Sequence, residues 1–133
     1  SEVMSRQEFL AQPSRPLLPE QFGGAIDQAG GAMLATLLAS TQSNGVVAAC
    51  GLAGGSDLPT TVLPFILRGV SLVGINSVFQ PQDVRGEIWN LFAEANLPLD
   101  QMSHVVDLAD ALETAPRVLS GLTRGRVVVK VRD

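Results

Sequence analysis

The chain has 133 residues, of which 46% are hydrophobic and 17% charged, and a net charge of −4; that is one domain with ample apolar material for a core. The acidic balance, with no long basic run, argues against nucleic acid, because neutralising phosphates takes clustered Lys and Arg. No apolar run approaches the ~20 residues that span a bilayer, the opening SEVMSRQEF lacks the apolar core of a signal peptide, and one cysteine, with no possible internal disulfide, fits the reducing cytoplasm.

In chain order, residues 2–5 read as a short strand. Residues 11–21 (AQPSRPLLPEQ) carry Pro13, Pro16 and Pro19 and read as loop. FGGAIDQ (22–28) is a short apolar strand with Asp27 near its end, closed by Ala29-Gly30-Gly31. Residues 32–41, rich in Ala and Leu, predict a short helix. Ser43-Asn44-Gly45 is a turn signal, and a strand over 46–50 follows. Residues 56–64 read as loop and 65–68 (FILR) as a helical turn. The β-branched run 70–78 predicts a strand. Residues 82–95 place Val84, Ile88, Leu91, Phe92 and Ala95 on one helical face. A short strand over 105–107 and a helix over 110–121 come next, with Asp110 as cap, Gly121 as terminator and Pro116 imposing a kink or a delayed start. Residues 126–131 (RVVVKV) are a terminal strand. Short apolar strands alternating with helices imply a mainly parallel α/β sheet covered on both faces.

The stretch GVVAACGLAGG (45–55) runs from an apolar strand into a glycine turn. Its Gly51-Leu52-Ala53-Gly54-Gly55 does not have the G-x-G-x-x-G spacing that aims helix amides at a pyrophosphate, and no G-K-[ST] follows. Ligands nevertheless lie across the carboxyl ends of strands in open α/β sheets. A glycine loop there either lines a flat ring closely or is only a sharp exit from the strand.

Four blocks, AIDQAGG (25–31), VVAACGLAGG (46–55), LPTTVLPFILRGVSLVGINSV (58–78) and RVLSGLTRGRVVVKV (117–131), occur in an order and spacing that resembles the acrylyl-CoA reductase / quinone oxidoreductase group of the medium-chain dehydrogenase/reductase superfamily. The resemblance covers essentially the whole chain and is to the C-terminal portion of that group. It implies a partial Rossmann-type parallel sheet, with a C-terminal strand returning to a catalytic domain outside this chain. Residues 1–104 would then belong to the nucleotide-binding domain and 105–133 to the returning segment. In the Rossmann order 3-2-1-4-5-6, residues 2–5, 23–28, 46–50 and 70–78 would be strands 3, 4, 5 and 6.

The same resemblance implies an NADPH-dependent, zinc-independent reductase. Carried over by position, Arg6 meets the adenosine end of NADPH, Leu52 lines its path, and Ile66 and Ser77 lie near the nicotinamide, with Thr123 as a further contact. The reaction implied is hydride transfer to the β-carbon of an activated alkene such as an acrylyl thioester, with a proton added at the α-carbon. The substrate is a small molecule, an enoyl-CoA or, as the alternative, a quinone. No catalytic residue is assigned in this chain. The glycine-rich phosphate turn, most of the catalytic domain and an active-site tyrosine would lie in a preceding half, in keeping with a chain that opens at Ser1 and has no tyrosine. A homodimer through residues 70–78 is also implied. A third reading is a truncated, non-catalytic nucleotide-binding or oligomerising module. Two departures stand out: AIDQAGG where AIDTVGG is expected, and Asn76 where Asp is the commoner residue.

Read without the resemblance, Cys50 and His104 are too few for a zinc site; Cys50 is expected as a small buried hydrophobe and His104 as an exposed loop residue. Asp27 is either a turn-capping carboxylate or a ligand-edge group. Trp89 is expected to pack beside its helix stripe. Asp107, Asp110 and Glu113 suit the positive end of a helix rather than acid–base chemistry.

Overall fold

The computed structural model describes residues 3–132, and the chain divides into two compact units, 1–80 and 81–133. The boundary expected at 104/105 falls inside a strand of the second unit.

The first unit is built on a parallel sheet of β1 (Phe22–Asp27), β2 (Thr41–Ala49) and β3 (Ser71–Gly74), in the order β1-β2-β3. Three helices accompany it: α1 (Arg6–Leu10), α2 (Gly31–Ser40) and α3 (Leu63–Arg68). The order matches strands 4, 5 and 6 of a Rossmann sheet. Leu34 and Leu38 of α2 pack with Val47 and Val70 into a buried core, and Ala25, Ala49, Phe65 and Leu72 close around it. These residues share a face, because Ala25, Val47 and Leu72 are cross-strand partners and side chains alternate along a strand.

The opposite face is open. Ile26 is 76% exposed, and Val73, in the same row of the sheet beyond Ala48 of β2, is exposed as well. The expected cover on both faces is therefore absent in this unit. Strands added successively in one direction by right-handed crossovers place their helices on the same side, and α2 and α3 are such crossovers.

Three local expectations are corrected. Residues 3–5 form no strand, and residue 2 lies outside the described residues. Ser5 instead caps α1 reciprocally: its hydroxyl accepts the Glu8 amide at 3.2 Å, and the Glu8 carboxylate accepts the Ser5 amide at 2.8 Å. Ser43-Asn44-Gly45 does not precede the second strand but lies inside it. The register shifts between Phe22↔Thr41 and Gly24↔Val46, and Asn44 has φ 62°, so the turn-prone residues build a bulge. The strand expected over 70–78 stops at Gly74. After the Ile75 amide bonds Ala49 O at 2.8 Å, β2 has no further residues to pair with.

A side chain that sequence reading passed over ties this unit together. Arg68 donates to the carbonyls of Ala39 (2.9 Å), Thr41 (3.2 Å) and Leu18 (2.6 Å) and meets Glu20 at 3.4 Å. It thereby fastens the end of α2, the start of β2 and the Pro-rich loop to α3. Gly69, at φ 61°, ends α3 and lets the chain turn into β3.

The second unit contains α4 (Gln82–Glu94), α5 (Leu99–Met102), β4 (Ser103–Asp107), a 3₁₀ turn (Leu108–Asp110), α6 (Ala111–Leu119) and β5 (Arg126–Lys130). β4 and β5 pair in parallel, with His104 opposite Val127. α6 runs from Ala111 through Pro116, and Gly121, at φ 67°, terminates it as expected. Asp110 stands at the cap position but makes no side-chain cap bond. None of the described residues of this unit is buried. Trp89 is 65% exposed and touches Phe92 at a ring separation of 6.1 Å, so the packing expected for it is confined to its own helix. His104 is exposed, as expected, but on a strand rather than a loop.

No described helix is long and apolar enough to cross a membrane. Among the described residues, no three His, Cys, Asp or Glu side chains are grouped to hold a metal ion.

Candidate functional site

The carboxyl ends of β1, β2 and β3 lead into three loops of the first unit: 28–30, 50–62 and 75–80. Asp27 closes β1 and is only 2% exposed. Its carboxylate accepts the amides of Gly30 at 2.8 Å and Ala29 at 3.3 Å. That settles its role as a turn-capping group. The turn enters α2 through Gly30 (φ 66°) and Gly31 (φ 56°), a backbone path that only glycine follows without strain.

The glycine loop after β2 is stitched to this turn by backbone. The Cys50 amide bonds Asp27 O at 2.8 Å, Ala53 bonds Gln28 O at 3.3 Å, and Gly54 bonds Ala29 O at 2.6 Å; Gly30 and Gly55 then form a bridge. There is no room for side chains at the seam. A Cβ on Gly51 would stand 2.4 Å from Gln28 O, and one on Gly30 would stand 2.4 Å from Gly55 O. The glycines therefore serve close backbone contact between two loops. Cys50 is exposed rather than buried, its thiol donating to Asp27 O at 3.2 Å; as the first residue past the strand it has left the core.

Two of the five residues assigned by position meet at this seam. Arg6, the first residue of α1, reaches the loop: a Cβ on Gly54 would lie 2.7 Å from its Nη2. Leu52 stands on the same loop, 67% exposed. Ser77 lies beyond β3 in a turn held by Asn76, whose side chain accepts the Phe79 amide at 3.4 Å and whose carbonyl accepts Gln80 Nε2 at 3.0 Å. Ile66 is 68% exposed on α3, two residues before Arg68. Thr123 belongs to the second unit. A cavity of about 400 Å3 between the Pro-rich loop, α2 and residues 59–61 is lined by none of the five. Sequence reading gave Asp27 two equal roles and missed the backbone seam, which leaves no side-chain pattern beyond the glycines themselves.

Against known proteins, no family model matches the chain. It is 44% identical over 135 residues to YhfP of Bacillus subtilis, named provisionally as a quinone oxidoreductase, the match covering 98% of this chain and 41% of that protein. It is 42% identical over 134 residues to the acrylyl-CoA reductase AcuI of Ruegeria pomeroyi, covering 98% of this chain and 40% of that one. Among solved structures, Escherichia coli K-12 YhdH with bound NADPH superposes with a TM-score of 0.86 and 41% identity over 96% of this chain and 39% of its own. The chain matches the C-terminal, nucleotide-binding part of the medium-chain dehydrogenase/reductase superfamily. Within that superfamily, B. subtilis yhfP with NAD bound gives a TM-score of 0.85 at 41% identity, over 98% of this chain and 41% of that one. At 20% identity, an alcohol dehydrogenase zinc-binding domain protein of Burkholderia ambifaria still gives a TM-score of 0.66, over 84% of this chain and 30% of that one, which shows the common fold alone. The chain spans about 40% of the length of the curated relatives it matches.

Proposed function

We propose that this chain is the cofactor-binding portion of an oxidoreductase that reduces an activated C=C bond, such as that of acrylyl-CoA, with NADPH. The observation that carries the reading is the 42% identity to an acrylyl-CoA reductase along 98% of the chain. The NADPH in E. coli YhdH, which has nearly the same fold, supports the choice of cofactor. The residues present fit a dinucleotide at the carboxyl edge. The Arg6 guanidinium, which reaches the glycine loop at Gly54, suits an adenine ring or a phosphate. In this reading Arg6 and Leu52 hold the cofactor from the glycine loop, and Ile66 and Ser77 approach it from α3 and the loop after β3. NADPH supplies the hydride. The enolate-like charge that follows needs hydrogen-bond donors, which this reading places in a catalytic domain outside the chain, along with every catalytic residue and without zinc. Residues 105–133 return to that domain, 1–104 serve the nucleotide, and the location is the cytoplasm. The free edge of β3 supports a homodimer through residues 70–78.

Quinone reduction is the second reading, favoured by the 44% identity to YhfP. The deciding experiment follows NADPH oxidation by the full-length protein with acrylyl-CoA and with a quinone in parallel. Turnover of the thioester at the higher kcat/KM is expected. Preference for the quinone would reverse the order of the two readings, and oxidation with neither would remove both. Without a glycine-rich phosphate turn the 133-residue chain alone should bind NADPH poorly; micromolar affinity in calorimetry would contradict that expectation.

A further inference from the structure

The chain is acidic overall, but its last stretch is not. Residues 114–132 hold Arg117, Arg124, Arg126, Lys130 and Arg132 and no Asp or Glu. Two of these arginines converge. A cavity of about 270 Å3 in the second unit is lined by Arg117 of α6, Arg124 of the loop after it, His104 of β4, and Thr114 and Thr123. Thr114 and Arg117 lie three residues apart on α6 and so share a side, while His104 and its register partner Val127 share a face of the strand pair. No carboxylate lines this cavity. Among the described residues, neither arginine has an ion pair, and the Thr123 hydroxyl has no partner. Thr114 already donates to Asp110 O at 2.9 Å, which leaves Thr123 as the hydroxyl donor.

Two unpaired guanidiniums, an imidazole and a hydroxyl around a space of this size form a site for a phosphate, whose oxygens accept forked N–H donors. A second cavity, of about 420 Å3, adjoins it; the two share Thr114, Thr123 and Val127, and Ala115, Val118 and Leu119 give the second an apolar wall. The pair suits a ligand in which a phosphate is joined to a slender carbon chain.

We propose that the basic cavity binds a phosphate of the coenzyme A thioester, with the pantetheine arm along the apolar cavity. This rests on the reductase reading and gives it a substrate-selecting element, since a quinone carries no phosphate. The same chemistry could come from NADPH or from free phosphate, and the test separates the sources.

The 133-residue chain is titrated by NMR with coenzyme A, NADPH and inorganic phosphate, in the native form and as Arg117→Gln/Arg124→Gln. The exposed positions of both arginines make the double variant compatible with folding; if it does not fold, Thr123→Val and the salt dependence of the native chain take its place. Coenzyme A should shift the amides of Thr123, Arg124 and Val127, and the double variant should weaken it about tenfold or more. Tighter binding of NADPH at these amides would give the cavity to the cofactor and overturn the assignment. Inorganic phosphate binding as well as coenzyme A would reduce it to an adventitious anion site, and no shift with any of the three would remove the site. In the full-length protein, the double variant should raise the KM for an enoyl-CoA about tenfold relative to that for the enoyl N-acetylcysteamine thioester, which has no phosphate. A protein that reduces only quinones while its cavity still binds coenzyme A would refute the reductase reading and leave the site standing.

Discussion

The two units have similar raw materials and different interiors. In the first, Leu38 and Val47 are completely enclosed. In the second, α4 carries Ile88, Leu91 and Phe92 at helical spacing, and all three are exposed. The difference is one of layering. The first unit stacks two crossover helices on one side of three paired strands, so each apolar stripe meets another. The second has a single crossover over two strands, an assembly that seldom encloses anything alone. An amphipathic stripe thus announces a buried face, but only the number of neighbouring layers within the chain decides whether that face is covered.

Leucine truncation breaks or confirms this contrast most directly. Leu38→Ala should destabilise the chain by about 3 kcal/mol, the usual cost of removing a buried leucine side chain, whereas Leu91→Ala should cost less than ~1 kcal/mol. Urea unfolding measures both, and equal losses would mean that the units do not differ as described. Next in size is Arg68→Ala, which removes a donor from three carbonyls at the junction of α2, β2 and the Pro-rich loop, of which Ala39 O keeps the Leu18 amide. A loss of about 2 kcal/mol is expected, and a change within the error of the unfolding curve would show that water replaces the guanidinium there. Ser40→Ala sharpens the picture with the opposite sign. The Ser40 hydroxyl is fully buried and has no partner among the described residues, so its removal should raise stability by up to ~1 kcal/mol; a lower Tm would reveal a hidden partner.

The smallest effect is at α1. The Glu8 carboxyl is held below its ordinary value of 4.5, chiefly by the Ser5 side chain and then by the Ser5 backbone. A depressed folded-state value means that the contribution is complete above the ordinary value and fades as pH falls through the lowered one. Amide protection in α1, taken relative to the intrinsic exchange rate at each pH, should fall in acid, and Glu8→Gln should flatten that dependence while protection in β2 stays unchanged.

These same places show what was legible in advance. The continuous apolar run of Val46 to Ala49, the 82–95 stripe and the terminal RVVVK are local patterns, and each became the expected element. Ser5 and Glu8 also spell a capping box, a local signal that reading residues 2–5 as a strand missed. The truncation of β3 was not local: it depends on where β2 ends. Nor was Arg68, whose three carbonyl partners lie 27 to 50 residues earlier in the chain. Of the candidate site, the glycines were visible as a loop, but their pairing with Gln28, Ala29 and Gly30 runs through peptide groups that every residue has alike. The positional assignments of Leu52, Ile66, Ser77 and Thr123 came from resemblance, because exposed apolar and hydroxyl side chains have no pattern of their own.

The seam between residues 28–30 and 50–55 has one more consequence. Its hydrogen bonds are made by main-chain atoms, and its tight contacts fall on Gly30 and Gly51. Leu52 and Ala53, both exposed between Gly51 and Gly54, can change identity without altering the path of the loop. They are natural positions for a saturation library: variation there would retune what the loop touches while the frame that presents it stays constant.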